Sequence, residues 1–302
     1  MTNDKKIYNT AGKCRISLKK LLDEKKYITA IDASFIPMIG VFVENIKEFD
    51  AMFYSGLCDS TYRAKPDKEI VNLSKRLNTI NEIMEVTTKP LIFDFDTGGK
   101  TEDFYCNIQK IEKCGISAIM IEDKITGLKK NSLLGKTVKH ELANPDEFAE
   151  KIRIGKKAQT TQDFMIIARC ESLIAGLGVE NAIERSKKYA EAGADVILIH
   201  SNGPDGQEIF DFISKFKTIN KKISIAVIPT TYNQFSTTEL NEKGANIVIY
   251  ANQITRSMLQ AGKATLVDIA KAISNNIGIK EISEKHCMSA KELIELIPEN
   301  KL

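Results

Sequence analysis

The chain has 302 residues, with 43 Lys+Arg against 40 Asp+Glu and a formal net charge of +3, a balance that gives no electrostatic case for nucleic acid or an anionic membrane as main partner. No apolar run approaches the roughly 18 residues of a membrane helix, and the opening MTNDKKIYNTAGKCR lacks the apolar stretch of a secretory signal. Six Cys without a CxxC pair point to reduced thiols and not to a disulfide frame or zinc site, so the expectation is a cytoplasmic globular protein with a sizeable core.

In chain order, the first β-rich run is ITAIDA from Ile28, followed by AMFYSG from Ala51. The amphipathic stretch DKEIVNLSKRLNTINEIMEV, from Asp67, has helical spacing. LIFDFD from Leu91, AIMIED from Ala118 and MIIARC from Met165 come next. VENAIERSKKYAEAGA reads as a helix stopped at Gly193. The last runs are VILIHS from Val196, SIAVIP from Ser224 and NIVIYA from Asn246. Most are apolar over four or five consecutive residues, as strands buried on both faces of a parallel sheet are. Eight such units over about 230 residues match a (β/α)8 TIM-type barrel better than an open sheet. No Pro/Gly/Ser-rich linker interrupts them, and helical pattern continues beyond Gly278. The expectation is one domain over residues 1–302, with a C-terminal helical extension from about 278.

An active site on such a barrel lies at the C-terminal strand ends. The polar residues there are Asp32, Ser55, Asp94 with Asp96, Glu122, Arg169, His200 and Asn252. Taken singly, each serves readily as a turn former, a cap or a satisfied structural residue. Together, Asp94, Asp96 and Glu122 follow two adjacent strands and would repel one another unless a cation sat among them. Oxygen donors with no His or Cys nearby favour Mg²⁺ or Mn²⁺ over zinc. Arg169 and His200 supply charge and donors for a phosphorylated or carboxylated substrate. YSGLCDS places Ser55, Gly56 and Leu57 just past a strand, as an anion-binding nest or as a plain turn. EDKITGLKKNSLLG, from Glu122 to Gly135, is a polar loop that reads as a solvated connection or as a lid excluding water.

These residues resemble the phosphoenolpyruvate mutase group of the isocitrate lyase superfamily. The resemblance rests on IEDK…GLKKNSLLG and extends through YSGL, LIFDFDTG, IARCESLIAGLG, AGADVILIHS and NIVIYANQ. It implies an eight-stranded barrel with Mg²⁺ and a gating loop, assembled as a dimer of dimers that exchanges C-terminal helices. It implies interconversion of phosphoenolpyruvate and phosphonopyruvate, the carbon–phosphorus bond-forming step of phosphonate biosynthesis. By motif, Asp94 would bind the metal directly, while Asp67, Asp96 and Glu122 would hold its water ligands. Ser55, Gly56 and Leu57 would bind the pyruvyl carboxylate. Arg169 and His200 would hold the phosphoryl group, with Lys129, Asn131 and Ser132 closing on it. The similar phosphonopyruvate hydrolases carry Thr where this chain has Asn131, and the isocitrate and methylisocitrate lyases carry a KxCGH loop absent here. The gating loop reads ITGLK, one residue longer than the shorter FPK form. The first strand end reads IDASF where the family has a sequence closer to NGLSA, which leaves Asp32 outside the expected site. Hydrolysis of phosphonopyruvate and a non-catalytic barrel subunit stand as the alternatives.

Overall fold

The computed structural model describes residues 11–297. Helix α1 (Ala11–Glu24) precedes β1 (Ile28–Asp32), and α2 (Pro37–Glu44) leads to β2 (Ala51–Tyr54). Two helices, α3 (Gly56–Tyr62) and α4 (Leu73–Met84), precede β3 (Leu91–Asp94). Then come α5 (Thr101–Lys113), β4 (Ala118–Glu122), a 3-10 turn (Ser132–Thr137), α6 (Pro145–Ala158) and β5 (Met165–Cys170). The barrel continues through α7 (Gly178–Glu191), β6 (Val196–Ile199), α8 (Gln207–Ile219), β7 (Ser224–Val227), α9 (Thr237–Glu242) and β8 (Ile247–Tyr250). A second compact unit begins after Asn252 and holds α10 (Gln253–Ser274), α11 (Lys280–His286) and α12 (Ala290–Glu295).

All eight strands are parallel and close in sequence order, with β1 paired to β8 through Ile28 opposite Ile247. Closure removes both sheet edges. Ala30, Phe53, Ile92, Met120, Ile167, Leu198, Ala226 and Ile249 belong to one buried cluster drawn from the eight strands. Each large member contributes about 1.5–3 kcal/mol by leaving water. Seven of the eight expected strands begin at the residue read from the sequence, and the eighth begins one later, at Ile247.

The stretch from Asp67 departs from expectation. Its first six residues are not helical, and α4 starts only at Leu73, where Asn72 caps it by accepting from the Lys75 N–H at 3.0 Å. Glu69 takes φ +58, a left-handed backbone that ends any helix upstream. Gly193, at φ +101, stops α7 as expected. The helical pattern beyond Gly278 appears as α11 and α12, and its last five residues lie outside the described ones. None of the described helices is long and apolar enough to cross a membrane. Among the described residues no disulfide joins the cysteines; Cys106 is exposed on α5 and Cys170 buried in β5.

Candidate active site

The acidic side of the barrel mouth is built at the ends of β2 and β3. Asp94 closes β3, and Asp96 follows at φ +52, donating its N–H to Asp94 Oδ1 at 3.2 Å. The Gly56 N–H reaches Asp94 Oδ2 at 3.1 Å. A Cβ at Gly56 would stand 2.8 Å from Asp96 Oδ1 and 3.2 Å from Asp94 Oδ2, so only glycine admits this approach. Arg76 on the buried face of α4 donates to Asp96 Oδ2 at 2.8 Å and to the Asp94 carbonyl at 2.5 Å. Its guanidinium lies over the Phe93 ring, 4.5 Å from the centroid. Burial and repulsion from Asp96 push the Asp94 carboxyl up. Burial acts on Asp96 in the same sense, but Lys129 and Arg76 overcome it and hold that carboxyl down.

The cationic side comes from β4, β5 and β6. The β4–β5 register sets Glu122 beside Arg169, and Arg169 Nη2 lies 3.4 Å from Glu122 Oε2. Arg169 Nη2 also meets His200 Nδ1 at 3.0 Å. Burial and the neighbouring Arg169 lower the His200 pKa, so the ring is neutral at physiological pH. Glu122 Oε1 is buried without a hydrogen-bond partner, and burial pushes this carboxyl up to about 7 against the pull of Lys124 and Arg169.

Over this mouth lies the segment between β4 and the 3-10 turn. Lys129 Nζ donates to Asp67 Oδ1 at 2.8 Å and also to Asp96 Oδ1. Asn131 Nδ2 donates to Asp67 Oδ2 at 2.6 Å, while its Oδ1 caps the turn by accepting from Leu133 N–H. Glu69 ties the two loops together, accepting from Thr97 N–H at 3.0 Å and from Gly127 N–H at 3.1 Å. The loop is closed. Beneath it the walls leave about 50 Å³ open to the centres of water molecules, room for a few waters or a small anion. Ser55, Leu57, Asp67, Asp94, Glu122 and Lys129 line this space together with Asn131, Ser132, Arg169 and His200. Phe53, Ile228 and Ala251 supply apolar wall.

A family model described as phosphoenolpyruvate phosphomutase matches residues 29–270. The chain belongs to the phosphoenolpyruvate phosphomutase family. It is 34% identical over 282 residues to the phosphonopyruvate hydrolase of Variovorax sp. (strain Pal2), covering 93% of each chain. A crystal structure of phosphoenolpyruvate phosphomutase from Streptomyces platensis subsp. rosaceus superposes with a TM-score of 0.84 at 31% identity, covering 93% of this chain and 94% of that one. A phosphonopyruvate hydrolase complex with oxalate and Mg²⁺ gives 0.82 at 33%, covering 93% and 94%.

The expected residues fall into two groups. Asp67, Asp94, Glu122, Lys129, Asn131, Ser132, Arg169 and His200 converge on the cavity, and Ser55 and Leu57 also line it. Asp96 does not line it; both of its oxygens are taken by Arg76 and Lys129. Two amides of the expected carboxylate nest are likewise spent within the protein, Ser55 N–H on Ser34 Oγ at 2.7 Å and Gly56 N–H on Asp94. Asp32 is buried, with its Oδ1 bonded to the N–H and hydroxyl of Ser34. The donor set fits a hard divalent cation, since Asp94 and Glu122 offer oxygen only and Glu122 Oε1 is an orphaned acceptor. Among the described residues no three acidic, His or Cys side chains converge as a metal cage; Lys129 donates to both Asp67 and Asp96.

Three residues of this site are given no role by the sequence, although Lys124 and Glu171 stand inside the IEDK and IARCES runs. Glu171 is fully buried and touches Arg169, His200, Lys124 and Ser132. Its signal is the spacing Arg169-x-Glu171, which at a strand end points both side chains the same way. Arg76 is the one charged residue among the buried positions of α4, where the stripe Arg76, Ile80, Ile83 should be apolar. Lys124, buried behind Glu122, donates to the Lys130 carbonyl at 3.0 Å.

Proposed function

We propose that this chain is a phosphoenolpyruvate mutase, moving a phosphoryl group between the enolate oxygen and carbon three of one pyruvyl unit. The observation that carries the reading is a closed loop bearing Lys129 and Asn131 over a small cavity walled by Arg169 and His200. In one direction the P–O bond of phosphoenolpyruvate breaks, leaving its electron pair on the enolate oxygen. Carbon three of the enolate then supplies the pair that forms the C–P bond, and the carbonyl is restored. Such transfers pass through a loose, metaphosphate-like state, so positioning and charge do most of the catalysis.

Arg169 would bind the phosphoryl oxygens with charge-assisted hydrogen bonds, and neutral His200 would add a donor without adding repulsion to the cation. Asn131 would direct its amide at the migrating group on closure. Water is the competing acceptor, and the closed loop with its apolar wall of Phe53 and Ile228 excludes it. Asp94 and Glu122 would hold Mg²⁺, or Mn²⁺ in its place, with Asp67 at its water ligands, while Asp96, tied to Arg76 and Lys129, would only brace Asp94. The cation would supply positive charge favouring the enolate form of the pyruvyl unit.

The exposed apolar side chains Leu266, Ile273, Leu293 and Ile294 of the C-terminal helices support a homo-oligomer, a dimer of dimers exchanging these helices. One barrel domain with that extension, working in the cytoplasm on phosphonate biosynthesis, completes the reading. Hydrolysis of phosphonopyruvate is the second reading, favoured by the 34% identity to the Variovorax hydrolase. Phosphorus NMR of the protein incubated with phosphonopyruvate and Mg²⁺ separates them. Phosphoenolpyruvate as main product is expected; pyruvate with inorganic phosphate would establish the hydrolase. Loss of turnover in Asp94→Ala and on chelation would remove the option of a non-catalytic subunit.

A further inference from the structure

The Ser132 hydroxyl donates to Glu171 Oε2 at 2.6 Å and accepts from Lys124 Nζ at 2.6 Å and Arg169 Nη2 at 2.8 Å. A hydroxyl has one proton to give and two lone pairs to fill. All three are used by the protein, so with the loop closed Ser132 has nothing left for a substrate. Glu171 is placed to read both sides of that contact. Its Oε1 takes the Arg169 Nε–H and meets His200 Nδ1 at 3.1 Å. Its Oε2 takes Ser132 and an ion pair with Lys124 at 3.1 Å. The Glu171 backbone is itself fixed, its N–H donating to Asp123 Oδ1 at 2.8 Å. Asp123 Oδ2 in turn accepts from Tyr189 and Arg185 of α7, at 2.6 and 3.2 Å. Glu171 is absent from the cavity wall, so it acts only through its neighbours.

We infer that Ser132 and Glu171 form the latch of the loop and not a substrate contact, and that Glu171 is a positioning residue coupling closure to the orientation of Arg169 and His200. When Ser132 seats, one carboxylate joins the loop to both phosphoryl-binding side chains. When it leaves, Glu171 Oε2 loses its hydroxyl and Arg169 Nη2 loses an acceptor, so the two donors lose the arrangement that catalysis needs. The second half of this inference rests on the mutase reading; the latch does not.

The test is the rate of tryptic cleavage within residues 124–131 of the full chain, without ligand, followed by mass spectrometry. Cleavage of a gated loop tracks its open population when closing is fast. Loss of a hydrogen bond to a charged group should raise that population about tenfold in Ser132→Ala and in Glu171→Gln. The double variant should be cleaved no faster than the faster single one, because both changes break one contact. Wild-type cleavage rates in Ser132→Ala, or multiplying effects in the double variant, would overturn the latch. If Glu171→Gln unfolds, cleavage spreads outside the loop and Ser132→Ala decides alone. Turnover carries the coupling: kcat should fall in Ser132→Ala with KM little changed, whereas a lost substrate contact would raise KM. A product assay yielding pyruvate and phosphate would defeat the mutase reading while leaving the cleavage result intact.

Discussion

At Gly56 a hydrogen where other residues carry a Cβ lets the backbone sit against two carboxylates, its amide bonded to Asp94. Gly56→Ala would force its Cβ to 2.8 Å from Asp96 Oδ1. The Asp94–Asp96 pair would have to shift, costing about 1–3 kcal/mol by denaturant titration and weakening metal affinity by calorimetry. Asn131 carries a different load, one hydrogen bond to Asp67 and the cap on the 3-10 turn. Asn131→Ala should lower kcat roughly 10–100-fold, with a smaller rise in KM, because its contacts belong to the closed state. An unchanged kcat in steady-state kinetics would exclude that role. Residues of this kind are legible because each sits at a strand end or in the loop GLKKNSLLG. Glu171 and Arg76 were not, because burial among opposite charges is a property of partners far apart in the chain, such as Arg76 with Asp96 and Glu171 with Ser132.

At the scale of elements, strands were the most readable part of the molecule. Runs such as Ile119–Ile121 are apolar throughout because both faces of a barrel strand are covered. The spacing of Asp67–Asn72 mimics the helix that follows, and the left-handed turn at Glu69 has no glycine to announce it. This non-helical stretch carries Asp67, which accepts from Lys129 and Asn131. The far end of the loop is set by Gly135, at φ +50, whose hypothetical Cβ would lie 1.7 Å from Asn202 Nδ2. His140 Nε2 also contacts the Gly135 carbonyl at 2.9 Å. Gly135→Ala should therefore keep the loop from seating against the turn after β6. The expected outcome is a reduced kcat and faster tryptic cleavage of the loop, with the far-ultraviolet circular dichroism of the barrel unchanged.

For the whole molecule, buried charge sets the response to acid. His200 has its pKa lowered below 6.5, so the unfolded chain binds the proton more readily. Its contribution to stability is complete above the unfolded value and is lost as pH falls through the folded one. Glu171, which burial would raise but which Arg169 and Lys124 hold well below 4.5, adds a further loss under more acidic conditions, in the same direction. Glu122, pushed up to about 7, takes up its proton in the folded chain over the same range and acts in the opposite sense. The His200 share is therefore read as the difference between wild type and His200→Asn in urea unfolding at about pH 7.5 and about pH 5.5, with wild type losing more, or gaining less, on acidification. Assembly is testable separately. Leu266 and Ile294, 71% and 74% exposed, would be covered in an oligomer, so Leu266→Glu with Ile294→Glu should sediment as a smaller species than wild type.

Glu69 fastens the segment carrying Asp67 to Thr97 and Gly127, so the two flaps above the cavity are one mechanical part. Entry and exit of any ligand then share a single gating frequency. At high ligand concentration the observed association rate should level off at that frequency instead of climbing with encounter, and it should do so at the same ceiling for every small anion the chamber admits.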